Sequence, residues 1–110
     1  MIGTEGLTEV TDEDFAEVVL GAELPVLVKF TADWCPPCRM IAPVLAAIAR
    51  EESHRLRIVQ LDVDTSPATA ARYGVLSAPT LTVFRGGEPV WSVVGARPKR
   101  KLLAELAEVV

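Results

Sequence analysis

The sequence predicts an α/β fold in which a mixed central β-sheet carries helices on both faces. Three observations lead there. Apolar residues switch along the chain between strand-like runs and helical spacing, in the order β-α-β-α-β-α-β-β-α. Strands separated by helices imply parallel pairs joined by right-handed crossovers. The last two strands flank Gly86-Gly87 with no helix between them, a hairpin signal that adds an antiparallel pair.

Each element has its own local signal. "GLTEV" is a candidate first strand. Thr11 caps a helix whose first turn carries Asp12, Glu13 and Asp14, favourable at the positive end of the dipole. Phe15, Val18, Val19 and Ala22 follow at helical spacing. After Pro25, "VLVKFTA" is apolar on both faces apart from Lys29 and Thr31, which describes a buried central strand. Ile41, Val44, Leu45 and Ile48 line one face of the next helix, with Pro43 inside it as a kink site. "RLRIVQLDV" is a third strand with Leu56, Ile58 and Val63 inward. "SPATAARYG" opens at Ser66-Pro67 and closes at Gly74, a short helix. "TLTVF" and "VWSVVG" form the hairpin. Pro98 starts the last helix, whose apolar face is Leu102, Leu103, Leu106, Val109 and Val110.

The totals narrow the function. The chain has 110 residues, half of them hydrophobic and 24% charged, with a formal net charge of −4. That suits one domain, residues 1–110, with a single core, and argues against a nucleic-acid partner. The basic run Arg97, Lys99, Arg100 and Lys101 reads as a solvated helix face, with a partner-docking patch as the alternative. The N-terminus has neither a basic nor an apolar leader region, and no apolar run spans a bilayer, so the expectation is a cytoplasmic protein without membrane contact. In that compartment a structural disulfide is unexpected.

The chemistry lies in "KFTADWCPPCRM", which holds both cysteines of the chain. A spacing of three puts Cys35 and Cys38 on one side of a first helical turn. Pro36 and Pro37 favour a helix start at one of these two positions, because a missing N–H is harmless there. Cys35 then stands at the N-terminus, exposed, where the dipole lowers thiol pKa, and Cys38 lies inside the first turn, more covered. Cys35 is therefore the expected nucleophile and Cys38 the resolving thiol of a two-electron thiol–disulfide exchange. A structural zinc site needs four ligands, whereas the chain offers two cysteines and His54, in a polar surface stretch; no metal is expected.

At this point the sequence resembles the thioredoxin family. "WCPPC" is similar to the family's Trp-Cys-x-Pro-Cys active site. "MIAPVL", "LDVDTSPATAARYGVLSAPTLTVFRGGEPV" and "VGARPKRKL" extend the likeness, in order, over nearly the whole chain from about Leu7. The resemblance implies the thioredoxin fold and a general protein dithiol–disulfide oxidoreductase. It also implies disulfide-containing client proteins, an NADPH-dependent flavin reductase as electron source, no bound cofactor and a monomer. It places Pro79 at the family's cis-proline, and Trp34, Val63, Ser77, Ala78, Val94, Gly95 and Ala96 on the client-docking surface. A different class of function is a thioredoxin-fold binding module for one partner, redox-sensitive or redox-silent.

Two positions depart from the family pattern. Pro36 replaces the usual glycine, which stiffens the loop and removes a donor. Lys29 stands where the family has a buried aspartate that takes the proton of the second cysteine, and Gln60 where it has that aspartate's lysine partner. The aspartate's role does not transfer to a lysine. Three readings stand side by side: a charged Lys29 stabilises the Cys38 thiolate, a neutral Lys29 accepts its proton, or the side chain reaches solvent and plays no part. Asp62 and Asp64 are the candidate counter-charges.

Overall fold

A computed structural model describes residues 7–110. Residues 1–6, the start of the N-terminal stretch and with them Gly6 of the expected first strand, lie outside it. Five strands form one sheet in the order β1-β3-β2-β4-β5. They are β1 (Thr8–Glu9), β2 (Val26–Thr31), β3 (Arg57–Asp62), β4 (Thr80–Arg85) and β5 (Glu88–Val94). The helices are α1 (Pro36–Glu51), α2 (Pro67–Arg72) and α3 (Lys99–Leu106). Strands β1 and β2 both pair with β3 in parallel, while β2 pairs with β4, and β4 with β5, antiparallel.

The mixed sheet agrees with the sequence reading; two of the pairings do not. β1 and β2, separated by a helical turn, run parallel but lie either side of β3. A helix separates β3 from β4, yet β4 is not β3's parallel neighbour. The segment after α2 carries the chain across to the far side of β2, and β4 returns antiparallel. Helix-separated strands need not pair, so the expectation of a parallel pair fails at this step.

Strand alternation divides the core. On one face Leu27, Ile58, Leu81 and Val83 meet Ile41, Leu45 and Ile48 of α1 and Leu102 and Leu106 of α3. On the other, Val26, Val28, Phe30, Val59, Leu61 and Phe84 meet Phe15, Val19 and Ala70. Phe15, Tyr73 and Phe84 pack with ring centroids 5.0–5.8 Å apart. The hairpin turns on Gly86 and Gly87, both at positive φ (61° and 83°), a geometry glycine adopts without steric cost. Pro89 sits in edge strand β5 beside the register shift at Val83/Phe84, where no inner ladder bond is lost.

The first expected helix differs in winding and in the work of its acids. Ala16–Leu20 forms a π-helical turn, closed by Gly21 N–H on the Ala16 carbonyl at 2.9 Å. Thr11 donates its backbone N–H to Asp14 Oδ1 at 2.7 Å instead of capping with its hydroxyl. Asp12 caps a different helix: its carboxylate accepts the Ala68 and Thr69 N–H groups at the start of α2 (3.1 and 2.9 Å). Ser66 Oγ accepts the Asp12 N–H in return at 3.2 Å. Thr69, through side chain and backbone, and Ala68 hold the Asp12 carboxyl below its usual 3.8. A carboxyl depressed by folding stabilises above its unfolded pKa and loses that effect as pH falls through its folded value. Asp12→Ala is therefore expected to lower the melting temperature at pH 7. The gap from the parent closes under acid, as thermal melts across pH will record.

Arg97 faces Glu105 at 3.3 Å, and Lys99 donates to Glu51 at 2.8 Å, tying α3 to α1. Part of the basic run is thus engaged with local acids, and Arg100, Lys101 and His54 are exposed. No helix among the described residues is long and apolar enough to cross a membrane.

Candidate active site

The two prolines place the helix start as their chemistry requires. Helix α1 begins at Pro36, and Cys35 is its N-cap with extended backbone (φ −105°, ψ 100°). Pro36 and Pro37 bring no N–H, so the first donor the helix end offers is that of Cys38. It points at Cys35 Sγ, 3.1 Å away. Cys35 thus holds the place of a capping oxygen, and its sulfur receives the backbone dipole. The two sulfurs are joined as a disulfide, with the Cα atoms 5.3 Å apart.

The expected contrast in exposure is absent. Cys35 is 1% exposed and Cys38 2%. Ala32 packs with the disulfide, and Val63 and Ala78 lie over it, so Cys35 is covered although it precedes the helix. Its sulfur lies 3.4 Å from the Ala78 carbonyl oxygen. What distinguishes the cysteines here is the helix terminus and its hydrogen bond.

Three loops meet α1 at this end of the sheet, outside the C-termini of β2 and β3. Ser77, Ala78 and Pro79 precede β4, with the Ala78–Pro79 peptide cis. The Ser77 carbonyl accepts the Thr80 hydroxyl at 2.5 Å. Val94 ends β5 and Gly95 and Ala96 follow it, and Gly95 N–H donates to the Pro79 carbonyl at 2.8 Å. Gly95 has φ +98°, a conformation other residues adopt only with strain. Val63 opens the β3–α2 loop, half-buried against the cysteines, its N–H on the Thr31 carbonyl at 2.9 Å. Val94 is exposed rather than core. Of the residues assigned to the docking surface, Val63 and Ala78 pack against the disulfide, and Gly95 is bonded to Pro79 next to Ala78.

Trp34 is 65% exposed and held by one bond: its Nε1–H donates to Asp64 Oδ2 at 2.9 Å. Asp64 was not among the expected docking residues. Its place just past β3, at the cysteine end of the sheet, is the signal that marks it. Leu76, 96% exposed next to Ser77, also went unmarked, since nothing local distinguishes it from a core leucine. Asp64→Ala frees the indole. It is expected to lower kcat/KM toward a protein disulfide by about fivefold, the worth of roughly 1 kcal/mol for one hydrogen bond. The rate with a small disulfide should stay unchanged, and stopped-flow kinetics with both substrates will separate the two.

Lys29 is 1% exposed, so its side chain does not run out to solvent. Burial pushes its pKa down to about 8. Neither expected counter-charge pairs with it. Asp62 Oδ1 accepts the Asp64 and Thr65 N–H groups (2.8 and 3.3 Å), and Asp64 holds Trp34. Among the described residues no three potential metal ligands cluster.

The thioredoxin family model matches residues 6–108. The chain belongs to the thioredoxin family. Thioredoxin from Streptomyces clavuligerus is 56% identical over 97 residues, covering 88% of this chain and 90% of that protein. Thioredoxin from Mycobacterium bovis is 52% identical over 102 residues, covering 93% and 88%. A bifunctional thioredoxin reductase/thioredoxin of Mycobacterium leprae is 50% identical over 102 residues, which make up 22% of its own length. Family membership and the Cys35–Cys38 pair together make the protein a dithiol–disulfide oxidoreductase.

Proposed function

We propose that the protein reduces disulfides in client proteins with Cys35 as nucleophile and Cys38 as resolving thiol. The Cys35 thiolate attacks one sulfur of the client disulfide and forms a mixed disulfide; the electron pair of the broken bond leaves on the client's other sulfur. The Cys38 thiolate then attacks Cys35 Sγ, and the client's second thiolate departs. The client has gained two electrons and the protein holds its disulfide again. The observation that carries this reading is the Cys38 N–H aimed at Cys35 Sγ, because a donor at the helix terminus favours a thiolate on that sulfur.

Clients dock as an extended segment over Trp34, Val63, Ser77, Ala78, Pro79, Val94, Gly95 and Ala96. Pro36 and Pro37 stiffen the nucleophile's loop. A flavin- and NADPH-dependent thioredoxin reductase regenerates the dithiol, making the protein an electron-transport carrier; the fused Mycobacterium leprae protein, by its name, joins both activities in one chain. The protein works as a monomer of one domain, residues 1–110, in the cytoplasm, without a metal or cofactor of its own.

Reduction of insulin disulfides with NADPH and a thioredoxin reductase tests the reading. Turnover of insulin and of unrelated disulfide proteins is expected. Turnover of none, or of a single partner, would replace it with the binding-module alternative.

A further inference from the structure

Among the described residues Lys29 is the one buried charge that the exchange reaction leaves unused. Leu27 belongs to the core cluster under α1, and alternation along β2 turns Lys29 to that same face. It stands opposite Gln60 on β3 and Leu81 on β4. The face around it is Leu27 and Thr31 on its own strand, Ile58, Gln60 and Asp62 on β3, and Leu81 and Val83 on β4. Ile41 of α1 packs in that cluster, and Cys38, buried in the helix's first turn, lies three residues before it on the same side of the helix. Gln60 Oε1 is buried without a hydrogen-bond partner. Among the described residues the face therefore offers a buried ammonium, an unpaired amide oxygen and no anion bound to either. A buried ammonium without an anion is costly.

The reaction makes an anion there. When a thiolate attacks Cys35 Sγ, the Cys35–Cys38 bond breaks and its electron pair leaves on Cys38. We propose that the Lys29 ammonium is the electrostatic partner of the Cys38 thiolate, favouring opening of the disulfide and binding a proton more tightly once the thiolate exists. This rests on the exchange reading above. The donor dithiol loses two electrons and two protons, and the protein's disulfide gains the electrons. At a pH where Lys29 has shed its proton in the oxidised protein, it takes one up on reduction. Burial supports this linkage, since it brings Lys29 down to about 8, within working reach of pH. Lys29 acts on the leaving sulfur without touching the client, as a positioning charge.

The titratable groups facing Lys29 are few. From α1 it is Cys38, with Cys35 joined to it, and from β3 it is Asp62, whose Oδ1 is held by two backbone N–H groups. Strand β4 brings only Leu81 and Val83. Arg39 points away, bonded to the Asp33 carbonyl at 2.7 Å.

The test is the reduction potential of the parent, Lys29→Met and Asp62→Asn proteins against a glutathione buffer from pH 6 to 10. Lys29→Met is expected to lower the equilibrium constant for reduction about tenfold at pH 7, a potential about 30 mV more negative. Its potential should also fall less steeply with pH above 8 than the parent's. Asp62→Asn should follow the parent. Equal potentials and slopes in the parent and Lys29→Met overturn the proposal, as does a parent slope that moves only with Asp62→Asn. The parent's slope alone decides the matter if the Met variant fails to fold. Insulin reduction by the parent, run alongside, separates this outcome from failure of the exchange reading.

Discussion

Cys35→Ser reduces no client disulfide above background, while Cys38→Ser accumulates clients bound covalently to Cys35. The pair of results is informative because neither substitution should unfold the chain. Serine is a preferred N-cap residue, so in Cys35→Ser the hydroxyl takes over the bond that Cys35 Sγ now accepts from Cys38 N–H. The disulfide closes a loop of sequence separation 3, so chain entropy puts its loss at about 2 kcal/mol. Lost turnover in Cys35→Ser is then lost chemistry: a hydroxyl has no thiolate to offer. In Cys38→Ser the first attack proceeds and the second does not, leaving client and protein joined. Non-reducing electrophoresis followed by peptide mapping reads this directly. Adducts on Cys38 in Cys35→Ser, with none on Cys35 in Cys38→Ser, would reverse the roles.

Lys29→Met stabilises the oxidised protein by about 3 kcal/mol at pH 7. Burial takes the Lys29 pKa from 10.5 to about 8, and each pKa unit corresponds to about 1.4 kcal/mol. The unfolded chain binds this proton more tightly than the folded one, so stability rises with pH in this window. Below about 8 the penalty is present in full. It fades between about 8 and 10.5 and is gone above, where both states hold a neutral amine. Methionine fills a similar volume without the charge. Urea titrations of both proteins at pH 7 and at successively higher pH are expected to show the gap narrowing. A constant gap would locate the effect in packing.

The fold was legible wherever one period dominated. Ile41, Leu45 and Ile48 announced α1, and the apolar run of β2 announced a central strand. Non-local choices were not legible. The reversal of β4 depends on how the chain travels after α2, which no periodicity encodes. Asp12 looked like an acid for its own helix, and only tertiary packing assigns it to α2. At the site, the prolines sufficed to place Cys35 at the helix N-terminus, since the constraint is local. Its burial was missed because the cover comes from Val63 and Ala78, far along the chain. Trp34 was readable from its place in the motif, but the carboxylate that holds it was not, since Asp64 lies thirty residues further on. Lys29 was conspicuous from the start, and the structure removes one reading of it: the side chain does not reach solvent.

The division of labour between the cysteines rests on one hydrogen bond at a helix end, and thiol alkylation tests it most directly. In the reduced protein, limiting iodoacetamide followed by peptide mapping across pH should modify Cys35 first. Its half-maximal rate should fall below the ordinary cysteine pKa of about 8.5. Modification of Cys38 first, or a Cys35 that titrates at the ordinary value, would contradict the account.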